Sequence, residues 1–186
     1  LTQAIEVVKP DFYIDLGDTG EFESVSHWQW KKKKRPPLEY QLPFVYKDIE
    51  AVNKGLDEID EALDKVNCKE KYFTQGNHEM WLDSFVSENP YLSDLSCKKA
   101  LKMDERGFVY YPAGKYLKIG KLWYYHGHHF AGIHHSRNHL LKLGVNIMYA
   151  HHHDLQQHSI THLDGAKSAW AIGCLKKMDD ASNAWL

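Results

Sequence analysis

Three short polar segments in this chain each follow directly on an apolar, strand-like run: Leu16-Gly17-Asp18-Thr19-Gly20-Glu21, Gln75-Gly76-Asn77-His78-Glu79 and Ala150-His151-His152-His153-Asp154. A fourth polar position, His126, follows Leu122-Trp123-Tyr124-Tyr125. α/β folds build their sites outside the carboxyl ends of strands. The pattern therefore predicts an α/β fold that projects Asp18, Asn77, His126 and His151 from strand ends on one sheet edge. Carboxylate, carboxamide and imidazole donors gathered there suit a metal ion used for hydrolysis.

Length and composition narrow the classes. A chain of 186 residues, 43% hydrophobic and 26% charged, has the size of one globular domain with a sizeable core, so residues 1–186 read as a single domain. A formal net charge of −2 argues against wrapping nucleic acid by bulk electrostatics, although charge can be concentrated locally. No apolar run is long enough to cross a bilayer and no signal-peptide pattern opens the chain, so no membrane partner and a cytoplasmic, intracellular location are expected. Cys68, Cys97 and Cys174 are odd in number and show no CxxC spacing, which argues against a disulfide framework and against a thiolate zinc site. The unusual count is 13 histidines, nine of them between His126 and His153, a concentration that points to imidazole ligation.

Periodicity supplies the elements. Residues 1–8 read as the tail of an amphipathic helix and residues 12–16 as a strand. Residues 22–44, which contain Lys31-Lys32-Lys33-Lys34-Arg35-Pro36-Pro37, read as a long surface loop because the prolines oppose helix and central strand. Ile49, Val52, Leu56, Ile59, Leu63 and Val66 recur at helical spacing. A strand at 71–75 follows, then a helix from Trp81 broken at Asn89-Pro90 and a short helix over 94–103. Strands are expected at 108–111, 116–119, 122–125, 146–149, 157–163 and 168–174, with a helix over 136–143. Early βαβ units followed by a strand-rich second half predict a layered α/β domain with mixed sheets. The two ends read as cut, with an element expected before Leu1 and a further strand beyond Trp185-Leu186.

The order Gly-Asp, Gly-Asn-His-Glu, a lone His-Gly, then a small residue before His-x-His resembles the calcineurin-like metallophosphoesterase superfamily, including phage and bacterial members. The resemblance spans most of the chain and implies two packed mixed sheets flanked by helices. It implies that Asp18 bridges two divalent transition-metal ions (manganese, iron, zinc or nickel), that Asn77, His126 and His151 complete the ligands of one, and that His153 serves the other. It also implies that His78 is a non-ligand catalytic histidine acting on the transferring phosphoryl group, and that Glu21 stands where members carry an acid orienting it. The implied activity is hydrolysis of a phosphomonoester or phosphodiester by a metal-activated hydroxide, on a phosphorylated substrate of nucleotide or nucleic-acid type. No Asp-x-His, which members carry at the end of a first strand, occurs here. That strand is expected before Leu1, and its lack is expected to impair hydrolysis by these residues alone.

Other residues carry plainer expectations. The Lys31–Arg35 run reads as a solvated loop, and Trp28 and Trp30 as its anchors to the core. His128 and His129 read as lying outside the ligand set. His135 and His139 share a helix face at a spacing that can bind metal, but with no carboxylate expected nearby they are not read as a third site. His152 should point away from its neighbours if the segment is extended. His158 and His162 read as surface positions, His27 as a loop residue and Cys174 as core. A competing reading of another class is a metal-binding scaffold with little or no turnover that contacts nucleic acid through the Lys-rich loop.

Overall fold

The computed structural model describes residues 1–31 and 33–176; the expectations placed on Trp185 and Leu186 lie outside them. The chain divides into two compact units, Leu1–Leu117 and Lys118–Leu186. The class is α/β with two sheets.

The first unit is built on a parallel sheet of β1 (Phe12–Asp15), β2 (Glu70–Thr74) and β3 (Phe108–Tyr111), in that order. It holds α1 (Thr2–Val8), α2 (His27–Trp30), α3 (Leu38–Lys65), α4 (Asn77–Glu88) and α5 (Cys97–Ala100). This sheet is wholly parallel, where mixed sheets were expected. Helix α3 runs 28 residues, roughly 42 Å. Its inward stripe of Val45, Ile49, Val52, Leu56, Ile59 and Leu63 packs with Phe22, Phe73, Leu82, Phe85 and Phe108 into one core.

Helix α3 corrects the expected loop over residues 22–44. It begins at Leu38, with Pro37 as N-cap and Pro43 inside it. Pro37 at the boundary is compatible with a helix start. Pro43 gives up the amide that would bond the Glu39 carbonyl, and burial of Gln41 and Val45 in the same turns offsets that loss. Ahead of α3 the chain adds a 3-10 turn at Glu23–Val25 and the single-turn α2.

The second unit carries all but the first residue of β4 (Leu117–Ile119), together with β5 (Leu122–Tyr125), β6 (Ile147–Tyr149), β7 (Leu155–His162), β8 (Gly165–Ile172) and α6 (His135–Leu143). Sheet order is β4-β5-β6-β8-β7. Strands β5, β6 and β8 are parallel neighbours, while β7 and β8 form an antiparallel hairpin. Tyr125, Leu140, Ile147, Tyr149, Ala169 and Ala171 are buried. Cys174 is exposed rather than core, because it lies beyond the end of β8. Cys68 and Cys97 are free thiols. Among the described residues, no helix is long and apolar enough to cross a membrane.

Candidate functional site

In the first unit, Asp18 and Asn77 follow the carboxyl ends of the adjacent parallel strands β1 and β2. Glu79, fully buried, fastens the two loops together. Its Oε2 accepts from the amides of Asp18 and Gly76, each at 2.9 Å, and its Oε1 accepts from Thr19 N at 2.9 Å. The bond to Gly76 is the reach-back half of a capping box, and it starts α4 at Asn77, four residues before the expected Trp81. The loops meet backbone to backbone. A Cβ on Gly76 would lie 2.3 Å from Asp18 Oδ1, and one on Gly17, whose φ is +85°, would lie 2.4 Å from Gly76 N.

Asp18 itself is left-handed, with φ 55°, and its Oδ1 accepts from the His78 amide at 3.0 Å. His78 Nδ1 lies 3.1 Å from the Gly20 carbonyl, an acceptor that holds the proton on Nδ1. Its Nε2 therefore faces the Asp18 Oδ2 side, 3.9 Å away, and the ring stacks on Trp81 at 4.2 Å. The mostly exposed Glu21 carboxylate stands 4.0 Å from Nδ1, so the carbonyl of Gly20 makes the closer contact.

In the second unit, His126 and His151 follow the carboxyl ends of the adjacent parallel strands β5 and β6. The Ala150 amide donates to the His126 carbonyl at 2.9 Å, and His126 Nε2 lies 3.1 Å from His151 Nδ1. That spacing fits one ion: two imidazole nitrogens held about 2.0–2.1 Å from a metal are about 3.1 Å apart when the angle at the metal is about 95°. His126 is buried and His151 half-buried. His153 lies two residues further on, half-buried, with φ 63°. The His128 ring is 5.7 Å from that of His126, while His129 is exposed.

Behind this loop lies a second layer of imidazoles. The left-handed backbone at His151 and His153 breaks the alternation expected of an extended segment, and His152 stacks on His135 at 3.9 Å and 13°. His135 Nε2 donates to Asp154 Oδ1 at 2.8 Å, and its Nδ1 accepts from the Tyr149 hydroxyl at 2.6 Å. A carboxylate thus does lie beside His135. His139 stacks on Tyr149 at 3.8 Å and reaches the carbonyls of His135 and Gly127 at 2.7 and 3.1 Å. Burial drives its pKa down to about 4, against the raising effect of those carbonyls. Burial and the neighbouring His135 likewise lower that of His152.

His135, His139 and His152 offer nitrogens within 4.8 Å of one another, a group that could hold a metal ion. In the conformation seen, however, the near-parallel stack of His135 on His152 prevents both rings from directing in-plane lone pairs at one ion, and both His135 nitrogens are already bonded. The group serves as a buried polar brace. His158 is half-buried and His162 exposed on β7; His27 is exposed. Two contributors escaped the sequence reading. Glu79 was signalled by its place three residues after a helix cap; the Tyr149–His135–Asp154 chain had no local signal.

Comparison with protein-family models and with curated proteins finds no match for this chain.

Proposed function

We propose that this chain is a metal-dependent phosphoester hydrolase of the calcineurin-like type, with Asp18, Asn77, His126 and His151 holding one divalent transition-metal ion and Asp18 and His153 contributing to a second. The observation that carries this reading is the His126–His151 pair, two imidazole nitrogens 3.1 Å apart at the ends of neighbouring parallel strands. The Gly-Asn-His-Glu turn, which presents Asn77 and His78 past the end of β2 in the first unit, supports it. So does the order of the motifs along the chain. The finer fold reading, a sandwich of two sheets flanked by helices, belongs to the same proposal, as does work in the cytoplasm.

When bound, such ions supply positive charge for a phosphoryl oxygen and acidify a water molecule. The chain's own residues do the positioning on which phosphoryl transfer chiefly depends. His78, with Nδ1–H given to the Gly20 carbonyl and its ring stacked on Trp81, offers Nε2 to a phosphoryl or leaving oxygen. Glu21, 4.0 Å from His78 Nδ1, is the acid that would orient this histidine. An Asn and neutral imidazoles beside one Asp carboxylate leave a metal-loaded site positive, which attracts a phosphorylated substrate.

Release of nitrophenol from mono- and bis-nitrophenyl phosphate, with and without manganese, tests the reading. Turnover should require metal, and His78→Ala should lower kcat by about 10²–10⁴-fold while metal stoichiometry is retained. Metal uptake without turnover on either ester, in a version that also carries the first-strand Asp-x-His, would overturn it in favour of a scaffold.

A further inference from the structure

The tract from His27 to Arg35 carries six basic or imidazole side chains and no acid, in a chain whose formal net charge is −2. The structure separates its two tryptophans. Trp30 is an anchor, half-buried, with Nε1 donating to the Ser24 carbonyl at 3.0 Å. Trp28 is 67% exposed, contrary to its expected role as a second anchor. Its backbone is nonetheless held: Ser26 Oγ accepts from the Trp28 amide at 3.2 Å, Ser24 bonds Asp48 through both its amide and its hydroxyl, and Gln41 Nε2 donates to the Ser24 carbonyl at 2.7 Å. Arg35 is tied to Glu88.

A large ring is therefore displayed on a fixed turn. Lys31 Nζ stands 5.0 Å from the Trp28 ring centroid, and an open cavity of about 440 Å³ is lined by Trp28, Gln29, Lys31 and Lys33. Lys31, Lys33 and Lys34 are exposed, and none has a carboxylate within salt-bridge reach among the described residues. We infer that this surface binds single-stranded nucleic acid, a base stacking on Trp28 while the lysines meet the flanking phosphates. Base stacking on an aromatic ring combined with a basic track is the chemistry of strand binding, and an unpaired base is needed because a paired one has no free face to offer. The surface follows Asp18 by ten residues within the same unit. That it feeds a hydrolytic site rests on the hydrolase reading; the binding itself does not.

The test is fluorescence anisotropy of a labelled oligothymidylate with the whole chain in EDTA, with inorganic polyphosphate as a base-free probe. Trp28→Ala should weaken oligothymidylate binding roughly 5- to 150-fold and leave polyphosphate binding within about twofold of the unsubstituted chain. The triple change Lys31→Glu, Lys33→Glu, Lys34→Glu should weaken both probes and reduce the salt slope by about 2. Lack of saturable oligothymidylate binding, undiminished binding by Trp28→Ala, or tighter binding of a duplex of equal length would each overturn the inference. Because no metal is present, failure here leaves the hydrolase reading standing, and failure of hydrolysis leaves strand binding standing.

Discussion

The two units present their donor loops from the same place, the carboxyl ends of neighbouring parallel strands, yet brace them by opposite means. In the first unit a single buried carboxylate, Glu79, gathers three main-chain amides from two loops. In the second, the His151 loop contains two left-handed residues and rests on stacked imidazoles, with His135 joining Tyr149 to Asp154. An anion bound by amides is a compact brace whose loss strands three donors at once. A stack of buried imidazoles spreads its contacts over several side chains, and burial holds His139 and His152 below the usual imidazole range.

The difference can be broken at either end, and the carboxylate brace should be the more costly to lose. Glu79→Gln replaces one accepting oxygen with a donor that faces amides. It should destabilise the chain by about 3 kcal/mol in urea unfolding; a loss under about 0.5 kcal/mol would show that the amides do not need the anion.

The imidazole brace should reveal itself in pH. His139 has a folded pKa lowered to about 4 by burial, against about 6.5 in the unfolded chain. The unfolded state therefore binds more protons between these values. The stability His139 contributes is complete above about pH 6.5 and is lost as pH falls toward 4. The loss is on the order of 2–3 kcal/mol, and His139→Leu should flatten that part of the stability profile. An unchanged slope in the variant would remove His139 from the account of acid sensitivity.

Two smaller effects sharpen the contrast. His135→Phe keeps a ring against His152 but leaves the buried Tyr149 hydroxyl without its acceptor, and should cost about 2 kcal/mol in the same urea assay. Trp30→Phe removes one hydrogen bond to the Ser24 carbonyl and should cost about 1 kcal/mol, with Trp28 still exposed to a fluorescence quencher.

What could be read in advance follows from how local the signal is. Strands Phe108–Tyr111 and Leu122–Tyr125 fall where their apolar runs place them, and Asp18, Asn77, His126 and His151 each sit just past a strand end as read. The early turns of α3 were hidden because Pro36, Pro37 and Pro43 suggest a break, while the burial of Gln41 and Val45 that favours helix depends on residues distant in sequence. The inward turn of His152 was equally hidden. It depends on positive φ at His151 and His153, which non-glycine residues rarely adopt and their sequence does not announce. Glu79 was legible as a cap, but its bonds to Asp18 and Thr19 span about 60 positions of chain and belong to the fold.

The proposed function requires that Asp18 and His126 ligate the same ion, and calorimetric titration of Mn2+ into the chain and into Asp18→Asn and His126→Ala tests that requirement most directly. Asp18→Asn keeps an oxygen for the His78 amide while removing the charge. Both variants should lose at least about tenfold in affinity at the same binding event. Wild-type affinity in Asp18→Asn beside a lost event in His126→Ala would contradict a shared ion.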